Sequence, residues 1–165
     1  MRALRILLGI CALSTLAAAQ QDTNKSYTYK GNVYGLANLG ACIHGYGFFG
    51  GGGGGEVFVY KGMSLGAEGS YSALSDGPQL GVVTGQIGHH FGNRNKSVGI
   101  DPFISFGAGL GFNGNLRRGY GVASNFGGGA TYWFKERVGL RLEGRAMGVN
   151  VQELVFVARI GVSFR

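Results

Sequence analysis

Charge is scarce in this sequence: 14% of its 165 residues are Asp, Glu, Lys or Arg, against about 25% in an ordinary soluble domain. Proline occurs twice and cysteine twice. Cys11 lies inside an N-terminal apolar run, so the rest of the chain keeps only Cys42, and an internal disulfide is excluded there. No later apolar stretch reaches the roughly 20 residues that span a bilayer as a helix. A helical membrane protein is therefore excluded. Entry into a membrane would require a closed barrel, because open strand edges are not tolerated in lipid.

What the chain has in excess is glycine, 34 residues, against an average usage of about 7%. Alone, that could describe a disordered chain. The 45% hydrophobic content and 12% aromatic content argue against disorder. A glycine-rich, aromatic-rich, charge-poor chain suits a sheet whose outer surface is not in water.

The first residues read as an export signal. Arg2 and Arg5 form a positive end, residues 6–16 an apolar run, and Ala17-Ala18-Ala19 a small-residue cleavage site. No cysteine follows that site, so a lipoprotein is not expected. We expect residues 1–19 to be a signal peptide, 20–26 a polar leader and 27–165 a single barrel domain. Losing Arg2 and Arg5 would take the formal charge from +7 to about +5. The basic residues are scattered and the chain is exported, so no nucleic-acid partner is expected.

The clearest pattern lies in residues 125–145. Val138, Leu140, Leu142 and Gly144 share one parity, and Gly139, Arg141, Glu143 and Arg145 the other. Before them, Phe126, Ala130, Tyr132 and Phe134 oppose Asn125, Thr131 and Trp133. Period two means strands, and Lys135-Glu136-Arg137 between them reads as a hairpin turn. Extended along the chain, the pattern gives eight strands, at about 27–39, 46–60, 63–71, 80–91, 100–112, 125–134, 138–145 and 154–165. The in-strand charges are Lys30, Glu56, Glu68, Arg141, Glu143, Arg145 and Arg159. All lie on the parity opposite the apolar residues. On a lipid-facing surface each Arg or Lys would cost about 2–4 kcal/mol near the midplane.

A soluble sandwich would alternate in the same way, so two further features matter. Aromatics gather at strand ends: Tyr27, Tyr29, Tyr60, Phe91, Trp133, Phe134 and Phe164 at one rim, and Tyr46, Tyr71, Phe112 and Tyr120 at the other. Such belts are expected at the two membrane interfaces. The connections alternate too. Lys61-Gly62, 92–99 and 135–137 are tight or short, as on a periplasmic side; 41–45, 74–79, 113–122 and 148–153 would be extracellular.

With its export signal, the 125–134 and 138–145 hairpin, and the closing Arg159-Ile-Gly-Val-Ser-Phe-Arg165, the chain resembles the small eight-stranded bacterial outer-membrane barrels, akin to the OmpA-type transmembrane domain. The resemblance implies an all-β, antiparallel up-and-down barrel in the outer membrane. It implies outer-membrane lipids and lipopolysaccharide as surroundings, and the barrel-assembly machinery as a partner during insertion. Members usually end in an aromatic read by that machinery. Here Phe164 is penultimate and would carry the signal. No peptidoglycan-binding domain is expected beside the barrel.

Some such barrels hydrolyse lipids, and the lipid A deacylase type sets His and Ser two apart on one strand face. Here Phe91 lies two after His89 and Gly92 two after His90, so no enzyme is expected. Adjacent residues on a strand point to opposite faces, so His89 and His90 cannot chelate one ion, and no metal or other cofactor is expected. Residues 45–50 match the dinucleotide pattern G-x-G-x-x-G, but a strand follows where that motif needs a helix. The glycine run 50–55 reads as a flexible loop or a tightly curved strand, the strand being favoured.

An eight-stranded barrel is just wide enough for its side chains to fill. We therefore expect Glu56, Glu68, Arg141, Glu143, Arg145 and Arg159 to form a charge network that plugs the lumen, giving a structural role in the membrane. Arg117 and Arg118, in the longest expected loop, would contact lipid head groups through phosphate. One alternative is a narrow, porin-like ion path. Another is a secreted, lipocalin-like carrier of a small apolar ligand, which requires the opposite orientation of every strand.

Overall fold

The computed structural model describes residues 30–42, 47–74, 79–92, 98–113, 120–149 and 153–165. They form eight strands: β1 (Gly31–Cys42), β2 (Gly47–Tyr60), β3 (Met63–Leu74), β4 (Gln79–His90), β5 (Gly99–Asn113), β6 (Tyr120–Trp133), β7 (Val138–Val149) and β8 (Glu153–Phe164). Each pairs antiparallel with the next, and β1 pairs with β8, closing the barrel. The all-β, eight-stranded, up-and-down architecture is the one expected.

Register fixes the shape. Starting at Gly31, paired residues run through Val57, Leu65, Ile87, Phe106, Phe126, Ala146 and Phe156, and return to β1 at Ala41. The circuit closes ten residues along from its start. That stagger tilts the strands by about 40° to the barrel axis. The six large apolar side chains on the circuit all face outward and are exposed.

The two faces are sharply divided. Leu140, Leu142, Ile160 and Val162 lie outside and are 38–51% exposed; Arg141, between the two leucines, is 1% exposed. A soluble carrier needs the reverse, with apolar side chains around a ligand and charges in water. The lipocalin-like alternative does not fit this orientation.

Several boundaries differ from the sequence reading. Residues 27–29 lie outside the described residues, and β1 runs on to Cys42. Lys30 is exposed ahead of β1 rather than inside the lumen. Its carbonyl accepts from Phe58 N at 2.8 Å, so the backbone is held while the ammonium stays hydrated at the rim. β6 begins at Tyr120 and β7 reaches Val149, inside stretches expected to be loops. Gly121 and Ser124 look loop-like in isolation, but Phe112 pairs with Tyr120 and carries the ladder onward. The 50–55 glycine run is strand throughout.

The β2–β3 turn is Lys61-Gly62, with φ of 34° and 94°. Positive φ at both central residues is the turn that matches the twist of a two-residue hairpin. A Cβ on Gly62 would also lie 2.6 Å from the His90 carbonyl oxygen. At this rim Tyr60, Phe134 and Phe164 are exposed outward, as are Tyr71, Phe112 and Tyr120 toward the other. Trp133 departs from the expected belt: it is 2% exposed and points inward. Its parity, shared with Thr131, sends it inward, and at the barrel end the partly exposed Arg165 guanidinium covers its ring, 4.3 Å from the centroid.

Candidate functional site

Alternation along β7 places Arg141, Glu143 and Arg145 in a row on the inner face, all at most 5% exposed. On β8, Arg159 stands directly opposite Glu143. β2 and β3 bring Glu56 and Glu68 from across the lumen. The six charges proposed from the sequence thus meet in one place.

They form a continuous chain of contacts. Arg145 Nη1 lies 2.9 Å from Glu68 Oε1 and its Nε donates to Glu143 Oε1 at 2.6 Å. Arg159 Nη2 reaches Glu68 Oε1 at 2.8 Å, and its Nε donates to Asn38 Oδ1 at 3.0 Å. Tyr34 Oη donates to Glu68 Oε2 at 3.1 Å. Arg141 links this group to a second one, through Nε to Glu143 Oε2 at 3.3 Å and Nη1 to Glu56 Oε1 at 3.2 Å.

The Arg141 guanidinium also lies between two rings, 4.2 Å from the Tyr34 centroid and 3.9 Å from that of Phe103. Such stacking is favourable for a desolvated cation. Tyr34 in turn needs space on β2. Its register partner is Gly54, where a Cβ would meet the phenol oxygen at 2.9 Å. One glycine of the run therefore leaves room for the ring that supports Arg141.

The second group contains two residues absent from the sequence-based set. His90 Nε2 lies 3.1 Å from Glu56 Oε2, and its Nδ1 lies 2.9 Å from Asp101 Oδ2. Glu56 also accepts from Ser64 Oγ at 2.7 Å and Asn32 Nδ2 at 3.0 Å. Both imidazole nitrogens thus face carboxylates, and only the imidazolium can donate from both. The network joins four acidic side chains (Glu56, Glu68, Asp101 and Glu143) to three guanidiniums and the His90 ring, without Lys30. Asp101 lies within the strand expected at 100–112 and shares parity with Ser105, which is buried with it, so the alternation of that strand would have found it.

Beyond the charges, toward the rim away from the tight turns, the lumen turns apolar. Phe48, Val155 and Val157 are buried together, with Met147 packed against them. Gly40 pairs with Phe48. The sequence reading followed the outward parity of β8 and passed over this inward pair of valines. Phe164 is exposed at the end of β8. Arg117 and Arg118 lie outside the described residues. His89 is half-buried on the wall while His90 is buried inside, as the opposite parities require.

No protein-family model and no curated protein sequence matches the chain. Solved structures do. The N-terminal β-barrel domain of Pseudomonas aeruginosa OprF is 20% identical, with 81% of this chain and 96% of that one covered and a TM-score of 0.59. Neisserial surface protein A is 11% identical, with coverage of 81% and 94% and a TM-score of 0.64. The outer membrane enzyme PagL is 11% identical, with coverage of 80% and 99% and a TM-score of 0.58. The chain therefore has the fold of the small outer-membrane barrels. The likeness to PagL corrects one expectation. The fold accommodates an enzyme, so the exclusion of catalysis drawn from the sequence does not stand. At such identity the likeness reaches the fold alone and brings no reaction with it.

Proposed function

We propose that the chain is an exported outer-membrane barrel with a structural role, its lumen stoppered by the charge network and the apolar layer beyond it. The inverted polarity of the wall carries this reading. Arg141 and Leu142 are adjacent, yet the cation is 1% exposed and the leucine 51%. In water that arrangement would strand a broad apolar surface; in lipid it satisfies both faces. The stopper follows from packing. Ions crossing the barrel would have to part paired, buried charges and then pass Phe48, Val155 and Val157, a constriction that favours dewetting.

In this reading residues 1–19 direct export, lipopolysaccharide and phospholipids surround the wall, Phe164 marks the chain for the assembly machinery, and Arg117 and Arg118 contact phosphates of lipid head groups. Reconstitution tests it. The folded chain should fractionate with membranes, migrate anomalously unless heated, and leave planar bilayers silent. A soluble chain with no heat-dependent shift would reject the membrane assignment. Steady conductance would reject the stopper in favour of a narrow ion path. Unchanged lipopolysaccharide binding after replacing Arg117 and Arg118 by Ala would discard that contact.

A further inference from the structure

Among the described residues, every Lys or Arg that does not line the lumen sits at one end of the barrel. Lys30 precedes β1, Lys61 lies in the β2–β3 turn, Lys135 and Arg137 flank the β6–β7 turn, and Arg165 follows β8. The first four are exposed and Arg165 is partly so; Glu136 is the one exposed acid among them.

These cations are neighbours around the ring. In a closed barrel β6, β7, β8, β1, β2 and β3 are consecutive. The Arg165 amide donates to the Arg137 carbonyl at 3.2 Å, joining the last strand to the β6–β7 turn. Phe58 N donates to the Lys30 carbonyl at 2.8 Å, joining β2 to the residue before β1. The result is a cationic arc over one side of the rim. Directly inward along the wall lie the exposed rings of Tyr60, Phe134 and Phe164, and Lys61 Nζ stands 5.2 Å from the Tyr60 ring centroid. Rings at the depth of the membrane interface with ammonium groups just beyond them set those groups at the level of lipid phosphates.

We propose that this arc is a binding surface for anionic phospholipid head groups in the leaflet on the tight-turn side. This rests on the membrane reading above and adds a lipid class and a side to it. Charge complementarity selects the occupant: several cations and one carboxylate favour a lipid with net negative charge over a zwitterionic one. Near an anionic surface each Lys or Arg shifts such a preference roughly fivefold.

The test uses the full chain in nanodiscs of phosphatidylethanolamine with a minority of phosphatidylglycerol. Native mass spectrometry reads which lipids stay on the barrel. Wild type should retain phosphatidylglycerol well above its share of the mixture. A chain carrying Lys30→Gln, Lys61→Gln, Lys135→Gln and Arg137→Gln should lose that enrichment by at least about tenfold while keeping its heat-dependent gel shift. Wild type with no enrichment, or a folded variant that keeps it, overturns the proposal and leaves the barrel assignment intact. Preferential retention of added peptidoglycan fragments over phosphatidylglycerol overturns it too, and puts a wall polymer on the arc. Should the chain hold neither lipid and remain soluble without detergent, the membrane reading falls and takes this one with it.

Discussion

Glu143 and Arg159 face each other across the β7–β8 pair, with Oε1 and Nη1 3.3 Å apart. The same carboxylate also takes Arg141 and Arg145. Three guanidiniums on one buried carboxylate make it the hub of the lumen.

Removing that hub should therefore be severe. Glu143→Ala leaves three buried cations short of a counter-charge, and breaking a buried pair from one side destabilises by about 3–5 kcal/mol. Chemical unfolding of the reconstituted barrel should show a loss in that range. A loss below about 1 kcal/mol would mean that the arginines find water or other partners.

The outer wall gives a test of its surroundings. Leu142→Arg places a cation at mid-strand on the exposed face. In lipid it should destabilise by about 2–4 kcal/mol, whereas an exposed site in water would change by no more than about 0.5 kcal/mol. Unfolding midpoints of the two chains in liposomes decide between these figures.

His90 and Asp101 should be energetically coupled. His90→Ala leaves Glu56 and Asp101 close together without the ring between them; Asp101→Asn removes one of the two charges. In a double-mutant cycle the pair should show an interaction of about 1–3 kcal/mol. Additive losses would assign the ring a packing role beside Phe58 and Phe103, whose centroids lie 4.9 and 5.3 Å from it.

Two glycines should respond oppositely. Gly54→Val drives a side chain into the Tyr34 ring, which lies within 3.0 Å of the added Cβ, and should destabilise by about 1–3 kcal/mol. Gly35→Ala adds a methyl where no atom lies within 4 Å. It should be neutral or stabilising by about 0.4–1 kcal/mol, through the unfolded chain. Thermal gel-shift midpoints would rank the pair.

Much of this was legible from alternation alone. Arg141 through Arg145 reveal their face because each charge is flanked by Leu or Gly of opposite parity. The early part of β6 was not legible, since Gly121 and Ser124 carry no apolar signal and are strand only through their partners on β5. The pairing of His90 with Asp101 depends on register across the β4–β5 connection, and composition does not encode register. Trp133 shows a conflict between two rules. Its parity pointed inward, its position at a strand end pointed to the belt, and parity prevailed because a strand side chain cannot choose its face. Lys30 was misplaced because a pattern read from one strand cannot tell where the partner strand stops.

The β1–β8 seam has a consequence for biogenesis. Gly35 pairs with Val162, so the contact that completes the wall joins segments more than a hundred residues apart. Such distant pairings are slow to form. Until they do, two bare strand margins remain available to any other chain. A copy of this chain therefore stays open to mispairing for as long as that seam is unzipped.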